Sequence, residues 1–96
     1  MSTKELLREK KGEIKQIAAR HGAYNLRVFG SVARGEDNSQ SDIDLLVDVG
    51  PETSSWFPAG LISDLESLLG KRVEVVTDAA LYKGIRNAVL SEAEQL

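Results

Sequence analysis

Three short runs of branched apolar side chains punctuate this chain, and helical stripes or glycine stops separate them. The runs are Leu26-Arg27-Val28-Phe29, then Ile43, Leu45, Leu46 and Val47, then Val73, Val75 and Val76. Runs this short, rich in Val and Ile, suit strands better than helices. Before the first run, Leu6, Leu7, Ile14, Ile17 and Ala18 fall on one helical stripe. Ser2-x-x-Glu5 opens that stripe as a capping box, and Gly22 closes it. Gly12 weakens its middle by about 1 kcal/mol relative to Ala. Ser31 to Arg34 can form one or two helical turns between Gly30 and Gly35. Residues 36–41 hold no apolar side chain and read as a surface loop. After a loop containing Pro51 and Pro58, Leu61, Ile62, Leu65, Leu68 and Leu69 mark an amphipathic helix ended by Gly70. A final helix, capped by Asp78, is expected to bury Leu81, Ile85, Ala88 and Val89. The order α-β-α-β-α-β-α predicts an α/β (α+β) fold, a small mixed sheet flanked by helices, in one domain over residues 1–96.

Size and charge narrow the function classes. A chain of 96 residues buries roughly 60–70% of the surface its unfolded form exposes. That supports one core and leaves no room for a separate acceptor-binding domain. A domain with so limited a core gains stability by self-association, so a homo-oligomer is compatible with it. There is no cysteine, which rules out disulfides, zinc–thiolate sites and thiol nucleophiles. No signal peptide or membrane-spanning run is visible, so a soluble, cytoplasmic protein is expected. The net charge of −3 conceals an asymmetry. Residues 1–34 carry eight Lys or Arg and three Glu, a balance of +5, whereas residues 35–96 carry four against twelve, a balance of −8. A pI near 5.1 argues against direct nucleic-acid binding.

Asp42-Ile43-Asp44 carries the chemistry. On a strand, residues i and i+2 leave the same face, so Ile43 and Leu45 enter the core while both carboxylates point away. Two carboxylates this close resist joint ionisation unless a cation lies between them. Mg²⁺ suits the place, because it takes one or two carboxylates plus substrate phosphates. Alone, the pattern also fits the wet face of an edge strand. Gly30-Ser31 adds a strand end followed by a short helical turn, whose backbone N–H groups can face an anion. The Ser31 hydroxyl adds a donor, and Arg34, one turn on, can meet a phosphate with its planar fork. A phosphate loop and an acidic pair are two halves of one reaction, in-line displacement at phosphorus, which commonly uses two metal ions.

The segment Gly30-Ser31-Val32-Ala33-Arg34-Gly35, with ten residues between Ser31 and Asp42 and then Asp42-Ile43-Asp44-Leu45, resembles the Gly-Ser-x10-Asp-x-Asp signature of the DNA polymerase beta-like nucleotidyltransferases. Within that superfamily the chain looks like the minimal nucleotidyltransferase (MNT) antitoxins, partners of HEPN toxins. The likeness extends to Leu69-Gly70-Lys71-Arg72-Val73-Glu74-Val75-Val76-Thr77 and covers nearly the whole chain. It implies a nucleotidyltransferase fold and Mg²⁺-dependent transfer of AMP from ATP to a hydroxyl, a tyrosine on the toxin. It also implies a third carboxylate beside Asp42 and Asp44. The matching position is Glu74, where the family more often has Asp.

Two further readings follow. A chain that keeps the fold but not the chemistry would neutralise its toxin by binding alone. Transfer to a small molecule would need an acceptor domain for which this chain has no room. Outside the motif, Trp56 and Phe57 are expected to stack on a ligand or partner, or to cap the core. His21 is expected to answer the helix dipole. Arg86 is a distant candidate for reaching the triphosphate.

Overall fold

The structure is a computed structural model describing residues 2–96. The N-terminal stripe forms two helices, α1 (Thr3–Glu9) and α2 (Lys11–Arg20), where one was expected. Lys10 leaves helical geometry between them at φ −96° and ψ 8°. The hydrogen bonds run on through the bend: Lys10 N–H donates to Leu6 C=O at 3.0 Å, and Ile14 N–H to Lys10 C=O at 2.9 Å. Gly12, a poor helix former, lies two residues beyond and lowers the cost of bending there. The Ser2 hydroxyl caps α1 by accepting from Glu5 N–H at 3.1 Å.

The strands are β1 (Ala23–Phe29), β2 (Ile43–Val49), β3 (Val73–Thr77) and a two-residue β4 (Glu94–Gln95). Between them lie α3 (Gly30–Arg34), α4 (Ala59–Leu69), a 3-10 turn (Asp78–Ala80) and α5 (Lys83–Glu92). The sheet order is β3-β2-β1-β4. β1 runs antiparallel to β2 and β4, and β2 parallel to β3. The parallel pair needs a crossover, which α4 supplies. The expected mixed sheet flanked by helices is therefore present, with β4 added at one edge.

The sheet has two unlike faces. On the core face, Leu26 and Val28 of β1, Ile43, Leu45 and Val47 of β2, and Val73 and Val75 of β3 join Ile14, Ile17, Leu61 and Leu65 in one buried cluster. A bulge between Tyr24 and Arg27 keeps β1 in step with this alternation. Asn25 occupies it at φ 52°, a left-handed conformation that Asn tolerates better than most residues. The opposite face carries Phe29, Asp44, Leu46, Asp48, Glu74 and Val76, and α5 lies on that side. There Leu46 is 0% exposed.

The last helix departs from expectation. Asp78 does not cap it; the Thr77 hydroxyl instead accepts from Ala80 N–H at 3.2 Å, and α5 begins only after Tyr82. Of the four residues expected to be buried, Val89 alone is. Leu81 is half-buried, and Ile85 and Ala88 are exposed. Among the described residues, no helix is long and apolar enough to cross a membrane.

Candidate active site

The site forms where β1 ends and β2 and β3 begin. Asp42 immediately precedes β2, and Asp44 is its second residue. In the register, Asp44 lies between Phe29 of β1 and Glu74 of β3. Adjacent paired strands thus bring together two carboxylates that lie 30 residues apart in sequence. Ile43 and Leu45, both 0% exposed, lock β2 so that Asp44 faces away from the core.

Gly30 closes the other side. It starts α3 at φ +75°, a conformation a side chain would strain. A Cβ there would also collide with Asp44 Oδ2. Only glycine lets the start of α3 come this close to the carboxylate. Val32 and Ala33 are buried and hold the short helix down. Gly35, at φ +72°, ends it. Glu36 N–H donates to Ser31 C=O at 2.8 Å, which closes the loop on itself.

The electrostatics match a cation site. Partial burial, then the charges of Glu74 and Asp42, push Asp44 up to about 6. Oδ1 of Asp42 is buried and accepts no hydrogen bond. Arg72 Nε lies 3.0 Å from it, but in a geometry that makes an ion pair and no hydrogen bond. A buried carboxylate oxygen without a donor next to a carboxyl crowded by like charges is what a hard, oxygen-seeking cation relieves. Asp42 and Asp44 suit Mg²⁺ on those grounds. Glu74 is beside Asp44, but no three acidic or histidine side chains among the described residues are gathered tightly enough to enclose a metal. The donor set is therefore an open pair that substrate phosphates would complete.

Arg34 does not point freely into this space. Its Nε donates to Glu36 Oε1 and its Nη1 to Glu92 Oε2, both at 2.7 Å. These carboxylates, Glu36 first, raise the guanidinium above its ordinary range. Glu92 sits at the end of α5 and also adds to the negative field at Asp44. Neither Arg72 nor Glu92 stood out in the sequence, because each meets its partner only through the fold.

A larger hollow, about 520 Å³, lies at the far end of β2 and β3, lined by Tyr24, Asp48, Thr77, Asp78 and Arg86. Its charges are already matched. Arg27 Nη2 donates to Asp48 Oδ1 at 2.9 Å, and Arg86 Nε to Asp78 Oδ1 at 2.9 Å. Hydrogen bonds from Asn25 and Arg27 hold Asp48 below the usual carboxylate range. Arg86 is thus committed to Asp78. Asp48, four residues beyond Asp44, is about 13 Å farther along the strand. The carboxylate end, not this hollow, holds the predicted site residues.

The remaining candidates lie elsewhere. His21 does more than answer a helix dipole: it bridges Ser54 Oγ at 2.6 Å and Asp64 Oδ2 at 2.8 Å, tying the loop before α4 to the end of α2. Phe57 packs against the core, and Trp56 is 88% exposed.

Known proteins resemble the chain in sequence and fold. Residues 7–95 match the nucleotidyltransferase domain family. The protein adenylyltransferase MntA of Thermococcus cleftensis is 41% identical over 78 residues, covering 81% of this chain and 79% of that protein. A solved structure provisionally described as a minimal nucleotidyltransferase superposes with a TM-score of 0.86 at 44% identity, covering 100% of this chain and 97% of the other. A toxin–antitoxin structure solved with AMP-PNP shares the fold alone, with a TM-score of 0.67 at 22% identity over 95% of this chain and 66% of that one. By the sequence match over most of its length and the close superposition, the chain belongs to the nucleotidyltransferase domain family, among its minimal nucleotidyltransferases.

Proposed function

We propose that this chain is a Mg²⁺-dependent protein adenylyltransferase and the antitoxin of a cytoplasmic pair. It transfers AMP from ATP to a hydroxyl, a tyrosine, on a HEPN ribonuclease toxin. The observation that carries this reading is the contact between the phosphate loop and the metal pair: Gly30 has no side chain where Asp44 Oδ2 approaches. MntA is named a protein adenylyltransferase, and the fold is shared with a toxin–antitoxin structure holding an ATP analogue.

The residues divide the work as follows. Backbone N–H groups at Gly30 and Ser31, with the Ser31 hydroxyl, hold phosphate oxygens. Arg34 is available to them once Glu36 and Glu92 release it. Asp42 and Asp44, with Glu74 beside them, would hold Mg²⁺, one or two ions. Bound Mg²⁺ supplies charge neutralisation at the reacting phosphate. The acceptor oxygen forms a bond to the α-phosphorus, the bond from that phosphorus to pyrophosphate breaks, and the acceptor proton passes to a carboxylate.

Intact mass spectrometry of the partner after incubation with MgATP tests this. Wild type should add AMP-sized mass, and Asp42→Asn or Asp44→Asn should lower the rate by at least about a hundredfold. Modification that persists in both variants would overturn the metal assignment. A second reading, neutralisation by binding alone, is favoured by one observation: Arg34 and Asp42 are already paired with Glu92 and Arg72. Toxin silencing that survives both substitutions and the removal of ATP would select it.

A further inference from the structure

The positive charge of this chain is concentrated early, eight Lys or Arg against three Glu over residues 1–34, and the fold gathers half of it into one row. Lys4, Arg8, Lys11 and Lys15 follow one another at helical spacing across α1 and α2. Hydrogen bonds carry that spacing through the bend at Lys10. At about 100° per residue, the four fall within about 60° of one another. Glu5, Glu9 and Glu13 lie about 100–180° farther round, so no acid interleaves with the row. Lys4 meets Glu94 at 3.2 Å. Arg8, Lys11 and Lys15 are exposed and belong to no ion pair among the described residues.

A helix face that only meets water stands over solvent, but this row stands over the edge of the sheet. On that side β4 covers only Arg27 and Val28 of β1, and Leu96 N–H reaches Leu26 C=O at 3.0 Å. Among the described residues, no strand lies beside Ala23–Asn25 there. Two hollows result. Lys4, Arg8 and Lys11 line one of about 140 Å³ together with Leu7, Val28 and Leu96. Lys15 lines another of about 210 Å³ with Ala19, Ala23 and Leu26. Gln95 borders both, so the two adjoin as one trough.

The walls select the occupant. Three unmatched cations draw an anion, and the apolar lining favours side chains that leave water. Nucleic acid answers the charge but wants aromatic platforms for its bases, and Tyr24 is the one aromatic residue lining the trough. A membrane surface is met by apolar groups that protrude, whereas Leu7, Ala23 and Leu26 are buried. An extended peptide that alternates acidic and apolar residues satisfies both walls, because alternate side chains leave opposite faces. From Lys4 to Lys15 the helices advance about 16 Å, the length of about five extended residues.

We propose that the trough between the basic row and the β1–β4 edge docks a short, extended, acidic and apolar segment of another protein, with Arg8, Lys11 and Lys15 holding its carboxylates. The row belongs to the helices on the core face of the sheet, and Asp44 faces away from the core. Docking therefore leaves the carboxylate end uncovered, and the proposal stands apart from the chemistry assigned to that end.

Backbone-amide NMR and fluorescence anisotropy of the full chain test it with blocked synthetic probes. Acetyl-Glu-Leu-Glu-Leu-Glu-amide should bind and shift Leu7, Lys11, Lys15, Ala23 and Gln95, and binding should weaken at least about threefold between 50 and 500 mM NaCl. Acetyl-Lys-Leu-Lys-Leu-Lys-amide should not bind. Joint substitution Arg8→Glu, Lys11→Glu and Lys15→Glu, all at exposed helix positions, should weaken the acidic probe at least about tenfold. The same variant should now bind the lysine probe, a gain that an unfolded chain would not show. Equal binding of both probes by wild type, or no binding of either, would overturn the proposal. Equal binding of acetyl-Glu-Ser-Glu-Ser-Glu-amide would remove the apolar half of the recognition and overturn it as stated. Tighter binding of hexauridylate than of the acidic peptide would give the row to nucleic acid.

Discussion

At the scale of single residues, Asp44 shows function and stability opposed. It is pushed up to about 6 by burial and by Glu74 and Asp42, whereas an unfolded Asp titrates near 4. The folded chain therefore binds more protons between those values, and its stability falls as pH rises from about 4 to about 6. Above 6 the repulsion is fully present. Asp44→Asn should then stabilise the cation-free protein at pH 7.5 by about 0.5–1 kcal/mol, after discounting for solvent screening, a Tm rise of roughly 2–8 °C. The gain should vanish near pH 4, and thermal melts at the two pH values check it. Gly30, Ser31, Asp42 and Asp44 were legible in the sequence because local geometry fixes their relation: a strand end, a turn and a two-residue alternation. The partners of Asp42 and Arg34 were not. Arg72 lies 30 residues from Asp42, and Glu92 lies 58 from Arg34, so only the finished sheet brings them into contact.

Helix α5 is the element whose reading changed most. Its spacing of Leu81, Ile85, Ala88 and Val89 predicts one buried helical face, but Leu81 falls outside α5, and periodicity does not say what covers the remaining residues. Here the chain's own core takes Val89 and leaves most of the rest. The same ambiguity did not mislead for α4, because Leu61, Leu65 and Leu69 pack against the core face of the sheet. β4, only two residues long, is below the length at which alternation can be recognised. The end of α5 is also tethered, since Glu92 meets Arg34 at 2.7 Å. Glu92→Gln should keep the helix while weakening that pair. It should free the Nη1 edge of the guanidinium for phosphate, while Nε stays with Glu36, and tighten ATP binding about two- to fivefold, the range expected of an exposed ion pair. Calorimetric titration of MgATP into the two proteins measures it, and weaker binding by the variant would contradict the tether.

Over the whole molecule, the two faces of the sheet divide the labour. Helices α1, α2 and α4 pack on one face around the buried cluster, and the carboxylates occupy the other. Ligand binding on the thinly covered face should therefore add stability without rearranging the core. At a hundredfold excess of MgATP over its Kd, the protein should gain about 2.7 kcal/mol, or roughly 10–20 °C in Tm for a domain this size. Differential scanning calorimetry of wild type beside Asp42→Asn, which should show no such rise, checks it. The ion pairs at the site have a consequence of their own. Arg72 already pairs with Asp42, and Glu36 and Glu92 already pair with Arg34. On the proposed function, loading the site with MgATP would be an ion exchange: the nucleotide would displace Glu36 and Glu92 from Arg34, and the metal would displace Arg72 from Asp42. Each internal ion would hold the place of an external one, while the like-charge crowding at Asp44 is left for the metal to relieve.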